Sequence, residues 1–366
     1  MKFSVNRELF LRPLQQVAGV VERRQTLPVL ANLLLRINDN RLSMTGTDLE
    51  VELIGKVDVA NAESGEITVP ARKLLDICRE LPEKADIQFI LADGRLEIRS
   101  GRFRSTLSTL PANDFPSVDH SDPDLSAALD SKSFKKLLDK TAFAMAQQDV
   151  RYFLNGMLLE IRDGHVRSVA TDGHRLALGD LHLETALNVS KQVILPRKGV
   201  IEIQRLLQEL DGEVSVSVGT THLCASSKMF TLTTKLVDGK FPDYERVIPR
   251  DGDKVVIADK QELRQALSRT AILSNEKFRG IRVALSAGQL QLSANNPEQE
   301  EAEEIVSVDY EGESLEVGFN VTYLQDVLSV IDDDHVRITL NDSNSSAVIE
   351  DPGHEDATYV VMPMKL

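Results

Sequence analysis

Two cysteines, Cys78 and Cys224, are all that 366 residues contain, so neither a disulfide framework nor a cysteine metal site can be built. No apolar run approaches the roughly 18 residues of a membrane span. Charges at Lys2, Arg7 and Glu8 occupy the place where a secretion signal carries its apolar stretch, and a cytoplasmic protein is expected. The chain lacks a G-x-S-x-G elbow, a Walker loop, an H-E-x-x-H pair and an EF-hand loop, and its seven histidines are scattered; no metal or cofactor is expected. Positive charge is in deficit. A net charge of −15 excludes a protein that coats nucleic acid with its whole surface, though not one with a locally basic face. What remains, 42% hydrophobic and 27% charged residues without low-complexity tracts, describes a folded chain long enough for two or three domains.

Self-similarity organises the rest. Phe10, Leu14, Ala18 and Val21 trace one helical face, and the same spacing returns 124 residues on at Phe134, Leu138, Ala142 and Met145. Pro13 interrupts the first copy and predicts a kink or a late helix start. Turn signals follow at Asp39-Asn40, Asp163-Gly164 and Ala287-Gly288, again 124 apart, each between alternating, strand-like runs. Next come three strand-to-helix passages, ITVPARKLLDICREL, VILPRKGVIEIQRLL and EVGFNVTYLQDVLSVI, and two copies close with Phe115-Pro116 and Phe241-Pro242. The expected fold is α+β, with three repeats over 1–122, 123–245 and 246–366, each with two helices on antiparallel sheets. Polar segments HSDPDLS and IPRDGDK serve as linkers.

The stretch ATDGHRL, Ala170 to Leu176, has the look of an active site. Within the repeat, Thr171-Asp172 corresponds to Thr47-Asp48 and Asn295-Asn296, while His174 faces Glu50 and Glu298 in the other copies. Thr and Asp cap local backbone well, so the turn itself is architectural. An enzyme using Asp172 and His174 is the competing reading; it requires turnover that His174→Ala abolishes. Asp332 to Asp334 ends a helix and reads as a solvated acidic turn, with Mg²⁺ ligation as the alternative. The run PEQEEAEE, Pro297 to Glu304, reads as a solvated edge or the complement of a basic partner.

Charge is distributed unevenly over the helices. Segments 6–24, 132–148 and 259–279 carry +2, +3 and +2, and 71–82 and 196–210 carry +1 each, so these five hold +9 in a chain of −15; 320–334 is the exception at −4. If corresponding helices share a surface, that surface contacts phosphates without reading bases, weakly and in a salt-sensitive way. A scaffold with no DNA contact is the reading this charge opposes.

Longer motifs carry a resemblance. LPVLANLLL, SMTGTDLE, QQDVRYFLNGMLLE, ATDGHRLAL, LPRKGVIE, KLVDGKFPDYERVIP, AILSNEKFRG, NNPEQEEAEE and YVVMPMKL resemble, end to end, the bacterial DNA polymerase III β subunits, the replicative sliding clamps. The resemblance implies a non-enzymatic, head-to-tail homodimer closed into a ring of six similar domains, with helices lining the hole and sheets forming the wall. It implies duplex DNA, a clamp loader, replicative and translesion polymerases and other proteins with clamp-binding linear motifs as partners, and no membrane. Any nucleotidyltransferase activity would belong to the holoenzyme.

By position the resemblance assigns a peptide groove to Leu154, Thr171, Gly173, His174, Arg175, Leu176, Pro242, Arg246, Val247, Phe278, Asn320, Tyr323, Ser346, Val360, Val361, Met362, Pro363 and Met364, with His174 and Arg175 as polar edges of an apolar pocket. It assigns DNA contact to Arg24, Arg72, Gln148, Tyr152, Arg197 and Lys198. A dimer seam would set Lys73, Arg102, Phe103, Arg104 and Leu107 against Ile272, Leu273, Glu298, Glu301 and Glu304, which gives the acidic run a partner. Where relatives carry a bulky aromatic at this seam, the chain has Ser105; Phe103, on the same strand face, is expected to replace part of the lost contact. Met362, Pro363 and Met364 offer adaptable apolar surface, and an ordinary last strand is the alternative reading of that run.

Overall fold

The computed structural model describes residues 1–22, 27–116, 118, 123–162, 164–183 and 190–365. Among them are six α-helices, α1 (Arg7–Val20), α2 (Ala71–Glu80), α3 (Ser131–Thr141), α4 (Arg197–Gln208), α5 (Lys260–Thr270) and α6 (Val321–Leu328). They fall two to a repeat, where the spacing places them.

Local chemistry starts the helices. Asn6 caps α1 by accepting from the Glu8 amide at 3.1 Å, Asp259 caps α5 from Glu262 at 2.7 Å, and Asn320 caps α6 from Thr322 at 2.9 Å; each satisfies a first-turn donor that has no partner within its helix. Ahead of α2 and α4 stand Pro70 and Pro196, the last residues of strands Gly65–Pro70 and Lys191–Pro196. Helix α1 does not start late; it runs through Pro13, which is buried with Phe10, Leu14 and Val17. A Cβ on Gly55 would lie 3.2 Å from the Pro13 side chain and 3.0 Å from Val17, so this glycine lets the proline face of α1 sit close on the sheet. In the second and third repeats the corresponding helices pass into 3₁₀ turns, Ala142–Ala144 and Ala271–Leu273.

Residues 1–132 with 201–236 form one compact unit, and 133–200 with 237–366 form another. In the first, an eight-stranded sheet joins the first repeat to the second through Phe230–Lys235, which pairs antiparallel with Val51–Asp58. In the second, strand Arg175–His182 pairs antiparallel with His354–Val361, joining the second repeat to the third in a twelve-stranded sheet. Neighbouring repeats thus share sheets, and the compact units cut across the second repeat.

The turn signals hold. Asp39 and Asn40 have φ of 47° and 61° between the paired Asn38 and Arg41, and Gly288 has φ of 74° between the paired Ser286 and Gln289. Asp163 lies outside the described residues; Gly164, next to it, has φ of 79°.

The acidic stretch after α6 is not a simple solvated turn. Asp332 accepts from Lys136 at 2.7 Å and from Lys140 at 3.3 Å, while Lys140, 5% exposed, reaches Asp356 at 2.7 Å. Buried Asp351 accepts from the Asp332 and Asp333 amides. The run therefore ties α3 of the second repeat to the third, because a buried ammonium requires carboxylates around it.

Candidate functional site

The ATDGHRL turn is built as an architectural turn. Thr171 donates to the Arg175 carbonyl at 2.6 Å and accepts from the Gly173 amide at 3.1 Å, and Asp172 accepts from the amides of His174 and Arg175. The first repeat has the same pattern: Thr47 donates to Val51 and accepts from Leu49, and Asp48 accepts from Glu50 and Val51. Both turns place their third residue at positive φ, 80° for Leu49 and 88° for Gly173. Asp172 also holds the Arg175 guanidinium at 3.1 Å. Its carboxylate is thus committed to the turn and to Arg175, and His174 stacks on Tyr323 with ring centroids 6.4 Å apart. This arrangement does not form the acid–base pair that an enzyme reading requires.

Beside the turn, Leu154, Thr171, Gly173, Arg175, Leu176, Pro242, Val247, Val360 and Met362 line one cavity of about 160 Å³, together with Arg151, Asp243 and Tyr244. Its wall is almost wholly apolar. Leu176 and Val360 belong to a buried cluster with Leu158, Val169, Leu178, Ile194, Phe241 and Tyr244, so the pocket opens directly onto the core. Met362 is fixed by its amide donating to the His174 carbonyl at 2.9 Å. The pocket can accept apolar side chains of a partner and offers few polar groups of its own.

Arg175 is not a free polar edge. Its side chain, 11% exposed, donates to Asp326 and to the Phe143 carbonyl. The guanidinium carbon sits 4.5 Å from the Tyr323 ring centroid and 5.2 Å from that of Phe143. Burial raises the Tyr323 pKa, and neighbouring Asp172 adds to the effect. His174 remains exposed.

The other groove candidates lie outside this cavity. Asn320 caps α6 and donates to the Phe278 carbonyl at 3.4 Å; Phe278 is exposed under Lys277; and Met364 donates to the Gly318 carbonyl at 2.8 Å. Arg246 pairs with Asp243 at 2.7 Å. Val361 is buried between Arg175 and Ala347 in the sheet. Ser346, just ahead of that pairing, and Pro363 are half-buried.

Arg24 lies outside the described residues. Arg72 is exposed on α2. Gln148 sits at φ 56° and Tyr152 is exposed against Phe153. Arg197 opens α4 and donates to the Met145 carbonyl at 3.3 Å, with Lys198 next to it. Asn155, which sequence reasoning missed, fixes this region. Its side chain accepts from the Asp149 amide and donates to the Asp149 carbonyl, each at 2.9 Å, and its carbonyl accepts from the Arg197 amide at 3.1 Å. Arg151 holds the Asp149 carboxyl down at about 2. The net charge of α3 proved misleading: Lys132, Lys135, Lys136 and Lys140 all pair with aspartates of this chain.

Strand Phe103–Ser108 ends its five-stranded sheet. Phe103 and Arg104 on it and Arg102 just before it are exposed, as is Lys73 on α2, while Leu107 is buried within the chain. Strand Glu301–Asp309 pairs along one edge with Gln289–Asn295 and at its far end, Val308 and Asp309, with Ala258 and Ile257. Glu298 and Glu301 are exposed there, Glu304 is held by Arg269, Ile272 is exposed and Leu273 half-buried. Exposed Ile305 on this strand was also missed, since a lone isoleucine in an acidic run carries no periodic signal.

A threefold repeat of helices on shared antiparallel sheets, with an apolar pocket where the second and third repeats meet, defines a clamp-type binding protein that acts by holding its partners. Family models match the DNA polymerase III beta subunit N-terminal domain over 1–119, its central domain over 128–243 and its C-terminal domain over 245–365. The beta sliding clamp of Pseudomonas putida is 58% identical over 367 aligned positions, covering 100% of both chains, and that of Escherichia coli is 52% identical with the same coverage. A crystal structure of the Pseudomonas aeruginosa subunit matches with a TM-score of 0.98 at 58% identity over 100% of both chains; another of that clamp is bound to griselimycin. The chain belongs to the DNA polymerase III beta subunit family, the bacterial sliding clamps. It is a processivity factor of DNA polymerase III and not a catalytic enzyme.

Proposed function

We propose that the pocket beside ATDGHRL is the groove through which this clamp tethers polymerases and other proteins bearing short apolar linear motifs. The observation that carries this reading is the 160 Å³ apolar cavity, which gathers Leu154, Thr171 and Leu176, Pro242 and Val247 from the segment ahead of the linker, and the C-terminal Val360 and Met362. His174, Tyr323, Asn320, Phe278, Ser346, Pro363, Met364 and Arg246 extend it as flanking surface, with Val361 buried in the sheet behind them, and griselimycin, which is bound to the Pseudomonas aeruginosa clamp, is expected to bind there.

Two copies close head to tail into a ring around duplex DNA, with repeat boundaries at 122 and 245. The open edge at Phe103–Ser108, flanked by Arg102 and Arg104, adds to the free part of Glu301–Asp309, and Lys73 faces the same acidic side. Backbone pairing across two exposed edges with opposite charge supports this seam. Arg24, Arg72, Gln148, Tyr152, Arg197 and Lys198 contact the DNA backbone weakly enough to slide, so retention is topological. A clamp loader opens the ring, and the clamp works where its DNA is, in the cytoplasm.

The test is retention on nicked circular DNA, loaded with a clamp loader and ATP and washed at raised salt. Loss only after the circle is cut supports a closed ring; equal loss from circular and linear DNA refutes it.

A further inference from the structure

One wall of the groove is irregular chain. No residue between Leu236 and Asp253 lies in a strand, and the 3₁₀ turn Tyr244–Val247, which carries Val247 into the pocket, has no side-chain cap. Such a segment is the part of a pocket most exposed to loss of shape. Its anchor is Tyr244, 6% exposed, whose ring sits in the cluster under the groove with Leu176 and Val360.

The Tyr244 hydroxyl ends on a polar assembly supplied by the central sheet. It donates to Glu160 Oε2 at 2.8 Å and accepts from Arg167 Nη1 at 3.3 Å. Arg167 is in turn gripped by Asp180 through two bonds of 2.8 and 2.9 Å. Glu160, 1% exposed, also accepts from Arg162 at 3.0 Å and from Gln192. A buried carboxylate that faces three donors has no reason to sit in a sheet for stability alone, because a packed apolar residue would serve as well or better. It does fix the direction of whatever reaches it.

We infer that Glu160 and Arg167 are positioning residues for the partner-peptide groove and act through the Tyr244 hydroxyl. They hold the Tyr244–Val247 turn so that Pro242 and Val247 stand in the wall before a peptide arrives. This rests on the groove reading above. A ligand that needs a preset wall binds more weakly in proportion to the fraction of molecules that have it set.

The experiment uses the full chain with a fluorescent synthetic peptide carrying the clamp-binding linear motif of the replicative polymerase. Affinity is measured for the unaltered chain, Tyr244→Phe, Glu160→Gln and the double variant, with amide hydrogen exchange over 238–253 in the absence of peptide. Tyr244→Phe removes one oxygen from a position that remains packed. It is expected to weaken binding about five- to tenfold, the net worth of one typical hydrogen bond, and to speed exchange in the linker. Glu160→Gln is expected to act in the same direction, with the double variant little worse than either single one, since both break the same contact. Unchanged peptide affinity in Tyr244→Phe, or fully additive losses, would overturn the inference even if the melting temperature fell. Failure of the unaltered chain to bind the peptide would instead overturn the groove reading, and the two failures are thereby separated.

Discussion

Arg175 and Asp326 form an ion pair across the junction of the second and third repeats, Nη1 to Oδ2 at 2.5 Å, with Tyr323 of the same helix stacked beneath the guanidinium. The turn beside the proposed groove is therefore bolted to α6 by a residue that the motif alone suggested would face a ligand. Arg175→Ala should cost about 2–3 kcal/mol of stability, because it takes a donor from Asp326, Asp172 and the Phe143 carbonyl at once, and should weaken peptide binding as the wall moves. Arg175→Lys should recover less than half of the loss, since an ammonium cannot bond in the plane and stack on two rings together. Urea unfolding of the three proteins checks this, and equal stability of the Lys variant and the parent would show that charge alone matters.

The Lys140 nest predicts an acid limb. Burial works to raise the Asp332 pKa, but the bonds and charges of Lys136 and Lys140 outweigh it and hold the group below its ordinary 3.8. The folded chain thus favours ionised Asp332 more than the unfolded chain does. Its contribution is complete above the unfolded value and is lost as pH falls through the lower folded one. Lys140→Met should remove about 1–2 kcal/mol near neutral pH and less at about pH 3. Urea midpoints at both pH values measure this, and a deficit that grew on acidification would contradict it.

Leu49 and Gly173 occupy the same left-handed position in two copies of one turn, and they predict unequal responses. Gly173→Ala places a Cβ at φ 88° and within 2.9 Å of the Arg151 guanidinium, so it should destabilise by about 1–2 kcal/mol. Leu49→Gly relieves backbone strain of similar size and loses only a half-exposed side chain, so it should change stability by less than about 1 kcal/mol. Thermal unfolding of the two variants decides the matter; a large loss in Leu49→Gly would mean that its side chain, not its backbone, holds the turn.

The repeat was legible because helix faces and two-residue turns are local signals, and they recur at nearly fixed spacing from Phe10 to Phe134 or Asn40 to Gly288. What those signals could not carry was pairing at a distance. Nothing near Phe230 announces that it adds to Val51–Asp58, and nothing in KSFKKLLDK tells which aspartates neutralise its lysines, so its net charge overstated the positive surface. The family resemblance proposed a groove at this turn, yet it did not give the task of Arg175. A guanidinium in a polar turn reads as a ligand contact until Asp326, 151 residues away, is placed beside it. Asn155, Glu160 and Tyr244 lie inside QQDVRYFLNGMLLE and KLVDGKFPDYERVIP, but their tasks were not legible there, because a residue that positions others is defined by what it touches.

The proposed seam gives the sharpest test of assembly. Ser105 Oγ is buried without a hydrogen-bond partner in the single chain, and Leu107 is already covered by its own protomer, so neither supplies much fresh apolar area. Phe103, 40% exposed, and Ile272 and Ile305, 75% and 55% exposed, remain as the groups able to meet across the two edges. Phe103→Ala should therefore raise the dimer dissociation constant by about 30-fold, the effect of a central aromatic anchor, while leaving protomer unfolding nearly unchanged. Leu107→Ala should do the reverse, lowering protomer stability by about 2–4 kcal/mol as a core deletion. Sedimentation of both variants at several concentrations, with and without added salt, separates the two effects. An unchanged dissociation constant for Phe103→Ala would remove that residue from the seam and leave the charged edges, Arg102 and Arg104 against Glu298 and Glu301, as its principal determinant; dimerisation would then weaken steeply with salt.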